Sequence, residues 1–320
     1  GLLTRNADGS YTVTGPALGD PVANDAAIND VVQHLVLTPV AGGVRADADD
    51  DFTLHVAVTT VEANLSGGQV DHLTNTTTFP VDVTVKPVAD PVTVGGSSTA
   101  VEDHAVNFGA DVTLTKSDAN SIGTSGPSSE TVTAVVIHDV PRDASVTYTA
   151  APGIVVTAND PLHPTSFTIA GDGSLAPAAL EQAIRTTLAS FNLTPPKDSD
   201  VDITLKIDVT TVDRLGAADQ SSPLTTSDQP FTIAVKADAD AATLTVDPTR
   251  NSGNEDQPIE VGFTVGRNDT DPLQATPSEA IQTVVIRDIP DGFTLSTTSA
   301  TNAGLLTRNA DGSYTVTGPA

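Results

Sequence analysis

Residues 1–17 read GLLTRNADGSYTVTGPA, and residues 304–320 read GLLTRNADGSYTVTGPA again. Identity over that length does not arise by chance. The spacing of 303 residues sets the size of a unit that recurs in near-identical copies, so the fold must be one that can be built in series.

Inside that unit runs a weaker period of about half the length. Val-Val-Ile-His-Asp-Val-Pro at 135–141 returns as Val-Val-Ile-Arg-Asp-Ile-Pro at 284–290. Thr-Leu-His-Val-Ala-Val-Thr-Thr-Val-Glu at 53–62 returns as Thr-Leu-Lys-Ile-Asp-Val-Thr-Thr-Val-Asp at 204–213. The pair Glu102-Asp103 returns as Glu255-Asp256. A module of about 150 residues is an ordinary domain size. The stretches from Lys86 to Pro91 and from Lys236 to Ala241 each follow a β-branched run and precede a fresh apolar alternation, as connectors do. The expected division is therefore 1–91 as the C-terminal part of one repeat, 92–240 as a complete repeat, and 241–320 as the N-terminal part of the next.

The local pattern predicts strands. Val, Thr, Ala and Ile supply most of the apolar and β-branched content, which favours a pleated sheet. Alternation is plain from Asp202 to Val209, from Phe231 to Val235 and from Val81 to Val85. Asp8-Gly9 and Asp172-Gly173 carry hairpin chemistry. One helix is expected after Pro177, where apolar residues from Ala178 to Leu188 fall at helical spacing; Asn24-Asp25 is placed to cap its counterpart. The expected class is all-β: tandem antiparallel β-sandwich modules, each with one short helix.

A formal net charge of −27 argues against nucleic acid and anionic membranes as partners. Asp outnumbers Glu by 34 to 7, and a surface that merely needed charge would use both. A short carboxylate suits two tasks: closing turns, and holding a hard cation from a loop. Position favours the second. Calcium takes six to eight oxygens, and acids from a module's start, its connector and late loops can converge at a junction. The candidate ligands are Asp90, Glu102, Asp103, Asp213, Asp238, Asp240, Glu255 and Asp256. A second candidate cluster is Asp198, Asp200 and Asp202, which aligns with Asp47, Asp49 and Asp51.

An early Glu, an Asp-bearing connector and late-strand acids resemble the junctions of cadherin-like domains. The ordered set Asn254-Glu255-Asp256, Ser278-Glu279, Val284 to Pro290, Leu37-Thr38-Pro39, Thr59-Thr60-Val61 and Val88-Ala89-Asp90 more closely resembles the tandem repeats of giant type I-secreted RTX adhesins. That resemblance implies an extracellular bacterial surface protein in which Ca2+ stiffens the joints. It also implies a stalk that projects a distal ligand-binding domain for adhesion and biofilm formation. Gly-Gly-x-Gly-x-Asp nonapeptides are absent from this stretch.

Chemistry is sparse. The chain has no cysteine, so neither a disulfide framework nor a thiolate metal site is available. Its six histidines make no metal-spaced pair, and His55 and His138 become Lys206 and Arg287 at the equivalent positions. No phosphate loop, dinucleotide fingerprint or basic patch occurs, and no enzyme is expected. A carbohydrate-binding or homophilic adhesive module is the alternative reading, which the scarcity of aromatic platforms disfavours. A polysaccharide-active enzyme is the weakest. The expected partners are neighbouring repeats of the same chain, together with head-to-tail self-association of the two partial repeats.

Overall fold

The computed structural model describes residues 2–15, 21–38, 51–64, 71–116, 130–215, 219–268 and 279–318. Two compact units emerge: Gly1–Val85 in one, Lys86–Ser117 with Ser129–Ala320 in the other. Asp47 and Asp49 lie outside the described residues. Strands dominate, with two α-helices among the described residues, so the all-β expectation holds. Among the described residues no helix is long and apolar enough to cross a membrane.

The first unit holds β1 (Leu3–Arg5), β2 (Tyr11–Val13), α1 (Pro21–Gln33), β3 (Phe52–Asn64) and β4 (Asp71–Val83). Asp8-Gly9 turns β1 into β2, with Gly9 at φ +87°, a conformation that glycine adopts without a Cβ clash. Asn24 and Asp25 do not cap α1. They lie within it, because the helix already starts at Pro21, whose fixed φ suits a first turn.

The second unit begins with β5 (Val92–Gly95), β6 (Ser97–Val101), β7 (Thr113–Lys116), β8 (Thr131–His138), β9 (Ser145–Thr147), β10 (Ile154–Ala158) and β11 (Phe167–Gly171). It continues with α2 (Pro177–Leu188), β12 (Asn192–Thr194), β13 (Ile203–Val212), β14 (Arg214–Leu215), β15 (Asp219–Gln220) and β16 (Leu224–Lys236). Its last strands are β17 (Thr243–Val246), β18 (Phe263–Gly266), β19 (Thr283–Ile286), β20 (Leu306–Arg308) and β21 (Tyr314–Thr317).

A six-stranded sheet, in the order β10-β11-β8-β13-β16-β6, is the frame of this unit. The alternation read in the sequence decides its faces. Ile203, Leu205, Ile207 and Val209 of β13 point into the core, as do Val135 and Ile137 of β8 and Phe231 and Ile233 of β16. Register keeps these rows aligned: Ile207 opposes Ile137, which opposes Phe167. Scarce aromatics are concentrated here. Phe191 stacks on Tyr148 at 4.8 Å and meets Phe108 and Phe167 edge-on at 6.2 and 5.7 Å.

Helix α2 forms where expected, with Pro177 in its first turn. It buries Ile184, Thr187 and Leu188 and packs on β8, β11 and β10. Glu181 fastens it to the sheet, accepting from Lys116 Nζ at 3.1 Å and from the Val132 N–H at 3.2 Å.

Two local expectations are corrected. Asp172-Gly173 does not join two paired strands. It carries the chain from β11 into α2, although the turn chemistry is the one expected, with Gly173 at φ +90° and Ser174 N–H donating to Asp172 Oδ1 at 2.8 Å. Nor is the sheet wholly antiparallel. Strand β6 runs parallel to β16, in register Ser97↔Thr232 to Val101↔Lys236. The β6–β16 pair closes one edge through a long-range crossover, which no local pattern encodes.

The abundance of Asp has a structural source beside any metal. Among the described residues, every non-glycine at positive φ is Asp: 103, 139, 198, 228, 256 and 288. A short carboxylate tolerates the left-handed region better than other side chains do. Asp103 and Asp256 (φ +57° and +63°), like Asp139 and Asp288 (both +60°), are repeat equivalents, so the period is written into the backbone. Replacing Asp139 by Val should cost about 1–2 kcal/mol, because a β-branched side chain clashes at that φ. Asp139→Gly should be nearly neutral, since only an exposed ion pair with Lys206 is lost. Denaturant midpoints of the two variants check this, and equal losses would deny that strain selects Asp here.

Candidate metal centre

Three carboxylates converge near the C-terminal ends of β6 and β16. Asp103 follows β6, Asp198 stands in the loop before β13, and Asp240 lies four residues beyond β16. One oxygen from each falls within 4.8 Å of the others; among the described residues no other group of three metal-ligating side chains does so.

The parallel pairing builds this site. Because β6 and β16 run the same way, their C-terminal ends emerge together and set Glu102-Asp103 beside Asp238-Ala239-Asp240. Backbone bonds pin the arrangement. Glu102 N–H donates to Lys236 O at 2.9 Å, and Asp238 N–H donates to Glu102 Oε1. The Asp198 loop is held in turn, its N–H donating to Asp103 Oδ1 at 2.9 Å. Asp103 and Asp198 both sit at positive φ, which aims their short side chains across the turn.

Asp198 is only 1 % exposed, Asp240 is half-buried and Asp103 is open to solvent. Lys197 reaches back to the Asp198 carboxylate as a built-in counter-charge. Its ammonium is held above the usual lysine range by the hydrogen bond to Asp198 and by the charges of Asp198, Asp103 and Asp240. Even so, the Asp240 carboxyl is raised, first by desolvation and then by repulsion from Asp198 and Asp103. A raised carboxyl works against the folded state while ionised, and that cost is relieved as pH falls through its folded pKa. A bound cation relieves it at neutral pH instead.

The donor set is all oxygen. It could hold a hard divalent cation, which accepts carboxylates with carbonyls and water completing the shell. The nearest histidine in sequence, His104, has its Nδ1 at 2.9 Å from the Glu102 carbonyl oxygen.

The structure divides the residues singled out by sequence. It brings together Asp103 and Asp240 from the first set and Asp198 from the second, with Glu102 and Asp238 in the supporting backbone bonds. Asp202 serves elsewhere, accepting the Val235 N–H at 2.9 Å, and Asp200 is half-buried in the same loop as Asp198. Asp90 lies at the segment's entry, where its N–H donates to Glu130 Oε1 at 2.7 Å and its carbonyl accepts from Thr211. Asp213 is buried, accepting the Arg214 N–H at 2.7 Å. Glu255 and Asp256 are exposed in a turn. The cluster that forms joins Asp103 and Asp198 with Asp240, four residues beyond β16.

Two residues escaped the sequence reading. Lys197 is the cation of the cluster, and its only signal was a lone basic residue in an acidic loop. Glu130 is buried at the entry end, and no periodicity marks it. No family model, curated protein or solved structure matches this chain.

Proposed function

We propose that the chain is a non-catalytic extender: tandem β-sandwich modules in series, stiffened where each connector leaves its module by calcium held on Asp103, Asp198 and Asp240. The observation that carries this reading is the cluster itself. It ties the start of a module, a late loop of that module and the outgoing connector into one set of carboxylates. A cation there would fix the direction in which the next module departs. The sandwich reading rests on the one-sided burial of the six-stranded sheet, against whose buried face pack α2 and the β5–β7 pair. Tandem repetition and the resemblance to RTX adhesin repeats add the setting: a secreted bacterial surface protein whose stalk presents a distal binding domain.

The connector contains no Gly/Ser tract, so it is not a flexible tether. Calcium should slow amide exchange across residues 237–242 and lengthen the maximum dimension seen by small-angle scattering. If calcium changes neither, the stalk mechanism falls.

A further inference from the structure

An Asp-Gly pair can close on itself, because glycine carries no side chain to keep its amide nitrogen away from the preceding carboxyl carbon. The chain has four such pairs: Asp8-Gly9, Asp172-Gly173, Asp291-Gly292 and Asp311-Gly312. All four glycines stand at positive φ, between +86° and +90°. The pairs are alike in backbone and differ in what holds them.

Three pairs are followed by serine, and that serine holds the carboxylate. Ser10 N–H and Oγ donate to Asp8 Oδ1 at 3.0 and 2.7 Å. Ser313 N–H and Oγ donate to Asp311 Oδ1 at 3.0 and 2.6 Å, and Ser174 N–H donates to Asp172 Oδ1 at 2.8 Å. The serine hydroxyl first, then its N–H, keeps each of these carboxyls below its ordinary range, in the ionised form that gives up oxygen least readily. The N–H groups of Gly9 and Gly312 are engaged as well, donating to Asn6 O and Asn309 O at 3.1 Å.

Asp291-Gly292 is followed by Phe293, which has no hydroxyl. Among the described residues the Asp291 carboxylate accepts no hydrogen bond and the Gly292 N–H donates none. This turn is closed by Phe293 N–H donating to Pro290 O at 3.0 Å, which leaves both reacting groups out. Asp291 is exposed, and so are Arg142 and Asp143 in the equivalent turn of the complete segment, where Ala144 N–H donates to Pro141 O at 3.1 Å. The exposure therefore belongs to the turn itself.

We infer that Asp291 is a self-modification site, where the Gly292 amide nitrogen closes on Asp291 Cγ and converts the residue to isoaspartate. The N–Cγ bond forms as the carboxyl C–OH bond breaks, and the hydroxyl leaves with the amide proton as water. Water then adds to the Asp291 backbone carbonyl of the resulting succinimide. The nitrogen leaves that carbonyl and regains its proton, so the chain now runs through the side chain. The product adds a methylene to the main chain at the turn that follows β19. It also turns out an α-carboxylate, the group that a methyltransferase using S-adenosylmethionine can esterify.

Trypsin places the four pairs in separate peptides, 6–45, 143–185, 288–308 and 309–320. The whole chain is aged at neutral pH and digested, and isoaspartate in each peptide is read by methyl transfer from labelled S-adenosylmethionine with an isoaspartyl carboxyl methyltransferase. Peptide 288–308 should gain label several-fold faster than the other three, while a chain aged in urea should label all four comparably. Phe293→Ser should slow the labelling of 288–308, because a hydroxyl can then hold the carboxylate. Ser174→Ala should speed that of 143–185. Equal rates in the folded chain, or a 288–308 peptide that stays unlabelled, overturns the inference.

Discussion

Leu205→Ala should lower the stability of its unit by about 2–5 kcal/mol, while Leu54→Ala should cost the other unit under about 1 kcal/mol. The two leucines occupy equivalent positions of the repeat, 151 residues apart; Leu205 pairs across to Phe231 and Leu54 to Val81. They differ in environment. Leu205 is fully buried, among Phe108, Ile207 and Phe231 in one continuous core, and its loss leaves a cavity. Leu54 is 41 % exposed, and truncating it forfeits only part of a transfer term. Denaturant unfolding checks the pair. Equal losses would mean that exposure does not describe the energetics of the β3–β4 hairpin.

Calcium should raise the thermal midpoint of the unit from Lys86 to Ala320, and EDTA should return it to the metal-free value. A ligand at ten times its dissociation constant stabilises by about 1.4 kcal/mol, or roughly 3–6 °C for a unit of this size. Asp198→Asn should abolish the shift, since the buried member of the triad then offers a neutral amide. At neutral pH without calcium the same substitution also removes repulsion on Asp240, so its metal-free midpoint should fall less than loss of the Lys197 pair alone would predict. Magnesium should do less, because it demands a tighter octahedron and gives up its waters reluctantly. If neither calcium nor chelator moves the midpoint, the acids are a solvated, turn-forming surface and the cluster is held by Lys197 alone.

Much of the architecture is legible in the sequence. Alternation from Asp202 to Val209 selects which side chains of β13 enter the core, because the strand period of two is a local property. Pro177 and the apolar spacing after it produce α2 for an equally local reason. The duplicated segment shows the reach and the limit of such rules. Residues 3–13 and 306–316 fold into the same hairpin in the same register, Leu3↔Val13 and Leu306↔Val316. Yet Tyr11 is 61 % exposed and Tyr314 only 5 %, because β19 lies against the second hairpin. The local hairpin follows from sequence; burial follows from the neighbour.

The candidate site divides along the same line. Repetition alone marks Glu102-Asp103, the Asp238–Asp240 connector and the Asp198 loop as recurring acidic positions, and turn chemistry explains why Asp stands at several of them. Which of them meet was decided by the parallel pairing of β6 with β16. In an antiparallel arrangement the ends of those strands would lie at opposite poles, and Asp103 could not face Asp240. Strand direction at a sheet edge depends on how distant segments close the core, and the energy that selects it is spread over the whole buried face. No short stretch of residues carries that information, so the sequence determined the acids and the tertiary structure their company.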